Sequence, residues 1–254
     1  MTEKTEDKRE LTLIDHLLEL RTRLLRAVIA VGVVVIALAP FARQLYSTLA
    51  EPLVRYLPEG SSMIAIDVAS PFFAPFKLVL ILGLLIAMPA VIYQAWAFVA
   101  PGLYRHEQRL ARPLLVASVL LFYAGCAFAY FAVFPVVLAF FTSMEREGVE
   151  VMTDTSRYLD FILTLFIAFG LAFQVPVATI VLVVLGITTT ETLAKARGYV
   201  IVGAFLVAML ITPQDMISQT LLAIPVLLLY ELGIIMARIM VRRTDEAKEA
   251  SGED

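Results

Sequence analysis

The run Trp96-Ala97-Phe98-Val99-Ala100-Pro101-Gly102-Leu103-Tyr104-Arg105-His106-Glu107-Gln108-Arg109 presents one carboxylate, Glu107, among basic side chains and aromatic rings. It joins two long apolar stretches, so it lies at a membrane surface. A carboxylate in such a place can hold a cationic peptide. With a guanidinium it makes two parallel, charge-assisted hydrogen bonds; an ammonium is a point charge that cannot reproduce the fork. The competing reading makes Glu107 a loop charge neutralised by Arg105 or Arg109. Pro101-Gly102 forms a turn, Phe98 offers an apolar wall, and Trp96 and Tyr104 suit anchoring at the membrane–water boundary.

A second carboxylate, Glu19, sits in a stretch from Leu13 to Arg26 with leucines at 17, 20, 24 and 25 and with Arg21 and Arg23 beside it. This stretch reads as a helix lying at or entering the interface, with Thr12 and Asp15 spaced as an N-cap pattern. Glu19 and Arg23 are spaced for an i,i+4 ion pair, worth a few tenths of a kcal/mol. The sharper alternative is that Glu19 faces the same ligand as Glu107.

Within the apolar stretches the polar inventory is short. Gln174 stands two residues before Pro176, which lacks an N–H and frees a carbonyl. Its amide can satisfy that carbonyl or reach a neighbouring helix. Glu231, beside Tyr230, is a functional candidate by default unless it lies at a wet helix end. Asp215 suits the cap of the last helix. Cys126 is the single cysteine, and His16 and His106 lie in separate segments. An internal disulfide, a thiolate metal site and a nucleophile–base constellation are therefore not expected, and neither is enzyme activity.

These side chains need elements to carry them. Apolar residues make up 60% of 254, mean hydropathy is +0.86 and only 17% are charged, more apolar surface than a soluble domain of this size can bury. The chain is an all-α integral membrane protein. Six apolar segments stand out: Leu24–Phe41, Phe76–Ala100, Pro113–Phe141, Leu159–Gly186, Tyr199–Ile211 and Ile217–Ala237. The fifth, at 13 residues, reaches only ~20 Å, so it is either re-entrant or thins the bilayer. Of the 20 Lys and Arg, fifteen fall in the termini and the even-numbered loops and four in the other loops. That asymmetry puts both termini in the cytoplasm and makes the fifth segment cross. Ala37-Leu38-Ala39 imitates a signal-peptidase site, but Pro40 follows and the preceding stretch is not a short basic region, so an uncleaved helix is expected. Residues 1–243 read as one membrane domain and residues 244–254 as a disordered, charged cytoplasmic tail.

Three separated motifs then carry a resemblance: His16-Leu17-Leu18-Glu19-Leu20-Arg21-Thr22-Arg23; Trp96-Ala97-Phe98 with Pro101-Gly102-Leu103-Tyr104-Arg105-His106-Glu107; and Thr212-Pro213-Gln214-Asp215 with Ser218-Gln219. In this order, with Asp67-Val68-Ala69-Ser70-Pro71-Phe72-Phe73 between the first two, they closely resemble the TatC family, the multispanning receptor component of the twin-arginine protein translocase. The resemblance covers about Leu13 to Arg243. It implies six helices in a concave, glove-like bundle, both termini cytoplasmic, in the bacterial cytoplasmic (inner) membrane. It further implies recognition of signal peptides bearing consecutive arginines, assembly with TatA- and TatB-type single-span proteins and other copies of the chain, and export of folded cargo on the proton-motive force. Nucleic acid, cofactor and metal are not expected.

Carried over by motif, Glu107 contacts the arginines, Glu19 is the second acidic contact and Phe98 lines the site, with Arg21, Leu103 and Tyr104 beside them. Gln174, Glu231, Asp215 and Gln219 are the implied partner-helix or intramembrane polar contacts. The family commonly has a glutamate where this chain has Gln174, so a titrating role there is replaced by hydrogen bonding. The rival class is a secondary transporter or ion channel using Gln174, Glu231 and Asp215 at membrane depth, although no repeated half or matched pair of broken helices is present.

Overall fold

The computed structural model describes residues 3–48, 70–99, 108–143, 154–211 and 216–251. Among these the architecture is all-helical. In chain order, α1 is Glu3–Leu38, followed by a 3-10 turn at Ala39–Phe41; α2 is Ser70–Val99; α3 is Gln108–Phe128; and a π-turn at Ala129–Val133 leads into α4, Phe134–Ser143. Then come α5, Thr155–Ala172; α6, Val175–Val184; α7, Thr190–Lys195; α8, Arg197–Ile211; and α9, Met216–Ser251. A chain in lipid must satisfy every backbone group internally, which is why these apolar runs are helices.

Five helices are long and apolar enough to cross a membrane, and α8 is a shorter apolar helix. At 15 residues, α8 reaches roughly 22 Å. Two long helices are interrupted where proline dictates. The π-turn lets the Phe134 N–H reach the Ala129 carbonyl just before Pro135. Between α5 and α6, the ring of Pro176 cannot follow a straight helix past the carbonyl of residue 172, and the chain turns at Phe173-Gln174.

Two ends differ from the sequence reading. The first helix begins at Glu3, so Thr12 lies inside it and not at its N-cap position; Glu, Lys and Arg lose little rotamer freedom in a helix and extend it outward. At the other end, α9 runs on to Ser251 where a disordered tail is expected after residue 243. Glu246-Ala247-Lys248-Glu249-Ala250 are strong helix formers and continue the helix without an apolar face.

The core sits where α2, α3, α6 and α9 meet, around Met88, Ile92, Trp96, Phe122, Val177, Ile180 and Ala237. Small residues bring the backbones together, as expected where no hydrophobic effect pulls helices from lipid. A Cβ on Gly125 of α3 would lie 2.5 Å from the Phe169 carbonyl oxygen of α5. One on Gly233 of α9 would lie 2.9 Å from the Pro176 Cα of α6. By contrast α1 is covered on one side alone, where it runs along α2 with Val35 against Gly83; Ala27 is its buried core residue among those described.

Candidate functional site

One cluster lies where α1 passes the C-terminal end of α2. Phe98, half-buried, stands one residue before α2 ends at Val99, and the His16 ring of α1 stacks on it with centroids 4.3 Å apart at 26°. One turn along α1 from His16, Glu19 accepts a hydrogen bond from Arg23 Nη2 at 3.2 Å. The i,i+4 pair read from the sequence therefore forms. Both partners stay partly exposed, so the pair is worth at most about 1 kcal/mol and yields readily to a better cation. Arg21 points outward and is exposed. Leu103, Tyr104 and Glu107 lie outside the described residues, in the link between Val99 and the start of α3 at Gln108. Asp215 also lies outside them.

A second cluster is internal. Trp96 is buried, and its Nε1 donates to Ser118 Oγ of α3 at 2.9 Å; Ser118 Oγ donates in turn to the Leu114 carbonyl at 2.8 Å. Trp96 is thus a core residue and not a surface anchor. Gln174, at the break between α5 and α6, donates from Nε2 to the Ser118 carbonyl at 2.8 Å. It serves a neighbouring helix and not the carbonyl freed by Pro176. One serine thereby joins α2, α3 and the α5–α6 break. Within the apolar run of span three, Ser118 is the polar signal that marks this junction, and the sequence reading passed over it.

At the N-terminus of α8, Arg197 clasps Glu231 of α9 through Nε to Oε1 at 2.5 Å and Nη2 to Oε2 at 2.8 Å. The neighbouring Tyr230 donates from its hydroxyl to the Leu193 carbonyl of α7 at 2.7 Å. Sequence reasoning counted Arg197 only as a loop charge, because residues 34 apart cannot be paired without the fold. Gln219 of α9 donates to the Phe205 carbonyl of α8 at 2.8 Å. Lys77 of α2 pairs with Asp160 of α5 at 2.7 Å. Each of these polar groups joins one helix to another. An apolar groove of about 640 Å³ opens between α5, α6, α8 and α9, with Ala168, Ala172, Gly203, Ala204 and Ala208 among its lining.

A bundle of long apolar helices in which Gln174, Gln219 and Glu231 bond from one helix to another, with an aromatic–carboxylate cluster at one end, belongs to the class of multi-span helical membrane proteins. Its particular family follows from comparison with known proteins. Residues 15–225 match the family model described as Sec-independent protein translocase protein (TatC). The chain is 53% identical over 254 residues to the Sec-independent protein translocase protein TatC of Azotobacter chroococcum mcd 1, covering 100% of each. It is 52% identical to that of Escherichia coli (strain K12), over 93% of this chain and 92% of the relative. A crystal structure of the twin arginine translocase receptor TatC superposes with a TM-score of 0.80 at 39% identity, covering 88% of this chain and 98% of that one. The chain belongs to the TatC family, and it is a multi-span protein of the bacterial inner membrane.

Proposed function

We propose that this chain is the subunit that binds signal peptides bearing consecutive arginines at the cytoplasmic face, with both of its own termini on that side. Glu107 and Glu19 take the two guanidinium groups, Phe98 forms the apolar wall, and Arg21, Leu103 and Tyr104 complete the site. The observation that carries the reading is the meeting of Glu19 and the His16–Phe98 stack at the end of α2 from which the Glu107 segment leaves. Two carboxylates beside an aromatic wall favour the planar guanidinium fork over ammonium. The role is that of a receptor and not of an enzyme. TatA- and TatB-type single-span helices and further copies of the chain are its partners, and the small-residue groove between α5, α6, α8 and α9 suits close approach of a helix. Cargo then crosses on the proton-motive force.

Photocross-linking tests the site. A photoreactive residue at position 107 should cross-link a precursor with an Arg-Arg signal in native membranes and lose it when the signal is Lys-Lys. Equal cross-links to both would move recognition elsewhere. The transporter or channel reading is disfavoured by pairing: Gln174, Gln219 and Glu231 hold Ser118, Phe205 and Arg197, and do not line a path.

A further inference from the structure

We infer that the groove between α5, α6, α8 and α9 seats one acyl chain of a phospholipid whose phosphoethanolamine headgroup is held at its mouth by Lys77 and Asp160. The inference goes beyond the function proposed above and does not depend on the signal-peptide site. It starts from a stripe on one face of α5. Asp160, Thr164, Ala168 and Leu171 follow one another at three- and four-residue spacing, and the last three line the groove. Thr164 is the one polar side chain among the described residues of that lining, and its hydroxyl already donates to the Asp160 carbonyl at 2.6 Å. The groove therefore suits hydrocarbon. One turn above it the same stripe presents the Asp160 carboxylate, paired with Lys77 Nζ of α2 at 2.7 Å and, like its partner, half-exposed.

Depth fits a lipid. The span holding α5 and α6 is 29 residues long, ~43 Å against a hydrocarbon core of ~30 Å, so about four residues at each end stand outside the core. Asp160 is the fifth residue of that span and Lys77 the sixth of the α2 span, which puts the pair at the boundary. From Thr164 to Val175 the groove runs eleven residues, or ~16 Å, the depth of one leaflet. A membrane-spanning helix matches the whole core, about twice that depth. The mouth is not closed by α8. Its Ala208, three residues from its end, packs in one cluster with Leu165, ten residues from the start of α5, so α8 stops ~10 Å short of that start. The charges then select the headgroup. The Lys77–Asp160 contact occupies one N–H and Asp160 Oδ1, leaving two ammonium protons and Oδ2 for a ligand. An ethanolamine ammonium on Oδ2 and its phosphate on Lys77 Nζ add two charge-assisted contacts without breaking the pair. Choline has no N–H to donate, and a glycerol headgroup brings a phosphate with no cation to meet Asp160.

Native mass spectrometry of the full chain tests this, with the protein released from detergent in the presence of equal amounts of phosphatidylethanolamine, phosphatidylcholine and phosphatidylglycerol of identical chains. One phosphatidylethanolamine should be retained about fivefold or more over either competitor. Asp160→Asn should bring phosphatidylethanolamine down to the phosphatidylcholine level and raise phosphatidylglycerol, because the repelling charge is gone. Equal retention of the three by the wild type overturns the inference. So does an equal fall of all three in Asp160→Asn, which is what simple loosening of α2 from α5 produces. Gly203→Leu and, from the facing wall, Ala168→Leu fill the groove and leave the charge pair intact, and each should weaken retention of all three lipids. Retention that survives both variants overturns the seat, and loss of a co-purifying single-span subunit in its place assigns the groove to a helix. The Arg-Arg cross-link at position 107 is a separate readout, so either reading can fail without the other.

Discussion

Gln174→Leu tests most directly whether the amide in span four works by hydrogen bonding. The bond it removes is Nε2 to the Ser118 carbonyl at 2.8 Å, which ties the α5–α6 break to α3. At that break Pro176 already deprives the helix of one N–H, so the turn at Phe173-Gln174 has less to hold it than a regular helix. A polar contact between helices in lipid is worth ~0.6–2 kcal/mol, so the leucine variant should shift any equilibrium that depends on the seating of α6 by about 3- to 30-fold. Gln174→Glu is the control. Burial disfavours the charged form of a carboxyl group, and the neutral acid has an O–H that donates to the same carbonyl. The glutamate variant should therefore export a folded reporter precursor at close to the wild-type rate, and the leucine variant should export it several-fold more slowly. Ser118→Ala adds a second check, because it leaves the backbone acceptor of Gln174 in place and removes only the hydroxyl that accepts from Trp96 Nε1 and donates to the Leu114 carbonyl. Its effect should not simply add to that of Gln174→Leu, since both changes act on one hydrogen-bonded junction at Ser118. Wild-type export by Gln174→Leu, with its thermal midpoint unchanged, would refute the reasoning.

Other expectations follow from packing and pairing. Gly125→Ala forces the α3 and α5 backbones apart and should cost ~1–3 kcal/mol, lowering the thermal midpoint in detergent by about 2–10 °C. Gly203→Ala, with open space around the added methyl and a better helix former in mid-helix, should hold that midpoint or raise it slightly. Because Trp96 is the single tryptophan and is buried against Ser118, the protein should emit as a buried indole and resist quenchers confined to the headgroup region; strong headgroup quenching would contradict its placement. Arg197→Glu or Glu231→Arg alone should loosen the α8–α9 junction, read as faster proteolysis there, and the double swap should restore protection; failure of the swap would show that the clasp is not what holds the junction.

Period and composition made the helices legible, because lipid admits little else and five of the six apolar runs announce themselves by length, the short run of α8 needing the loop charges to place it. The interruptions were less so. Pro176 marks a break in advance, but whether Gln174 turns back to its own helix or crosses to α3 depends on the angle of that break, which no local rule supplies. Arg197 and Glu231 show the same limit from the other side: each is visible as a charge, and their pairing appears only once α8 and α9 lie together. Trp96 was misread because an aromatic at a helix end suits an interface equally well until a neighbouring serine is brought within reach of its N–H. At the α1–α2 end, His16, Glu19 and Phe98 were legible as motif residues, while the stacking of His16 on Phe98 was not, since it depends on helix rotation and not on spacing.

The distribution of polar pairs separates two kinds of membrane protein. A transporter or channel leaves ionisable groups facing a path, because a group already committed to a neighbouring helix cannot exchange partners cheaply with a passing solute. Here Gln174, Gln219 and Glu231 are committed to Ser118, Phe205 and Arg197, and Lys77 to Asp160. The carboxylate at the α1–α2 end differs in that its partner rides on the same helix and ties no second helix to it. Among the described residues Glu19 pairs with Arg23, on its own helix and in partial contact with water, so a guanidinium from outside can displace that partner at the cost of one weak surface pair. A bundle whose helices are tied to one another by these polar pairs, with an exchangeable carboxylate at one edge, is suited to binding at its surface, which is the property the proposed receptor for a cationic peptide requires.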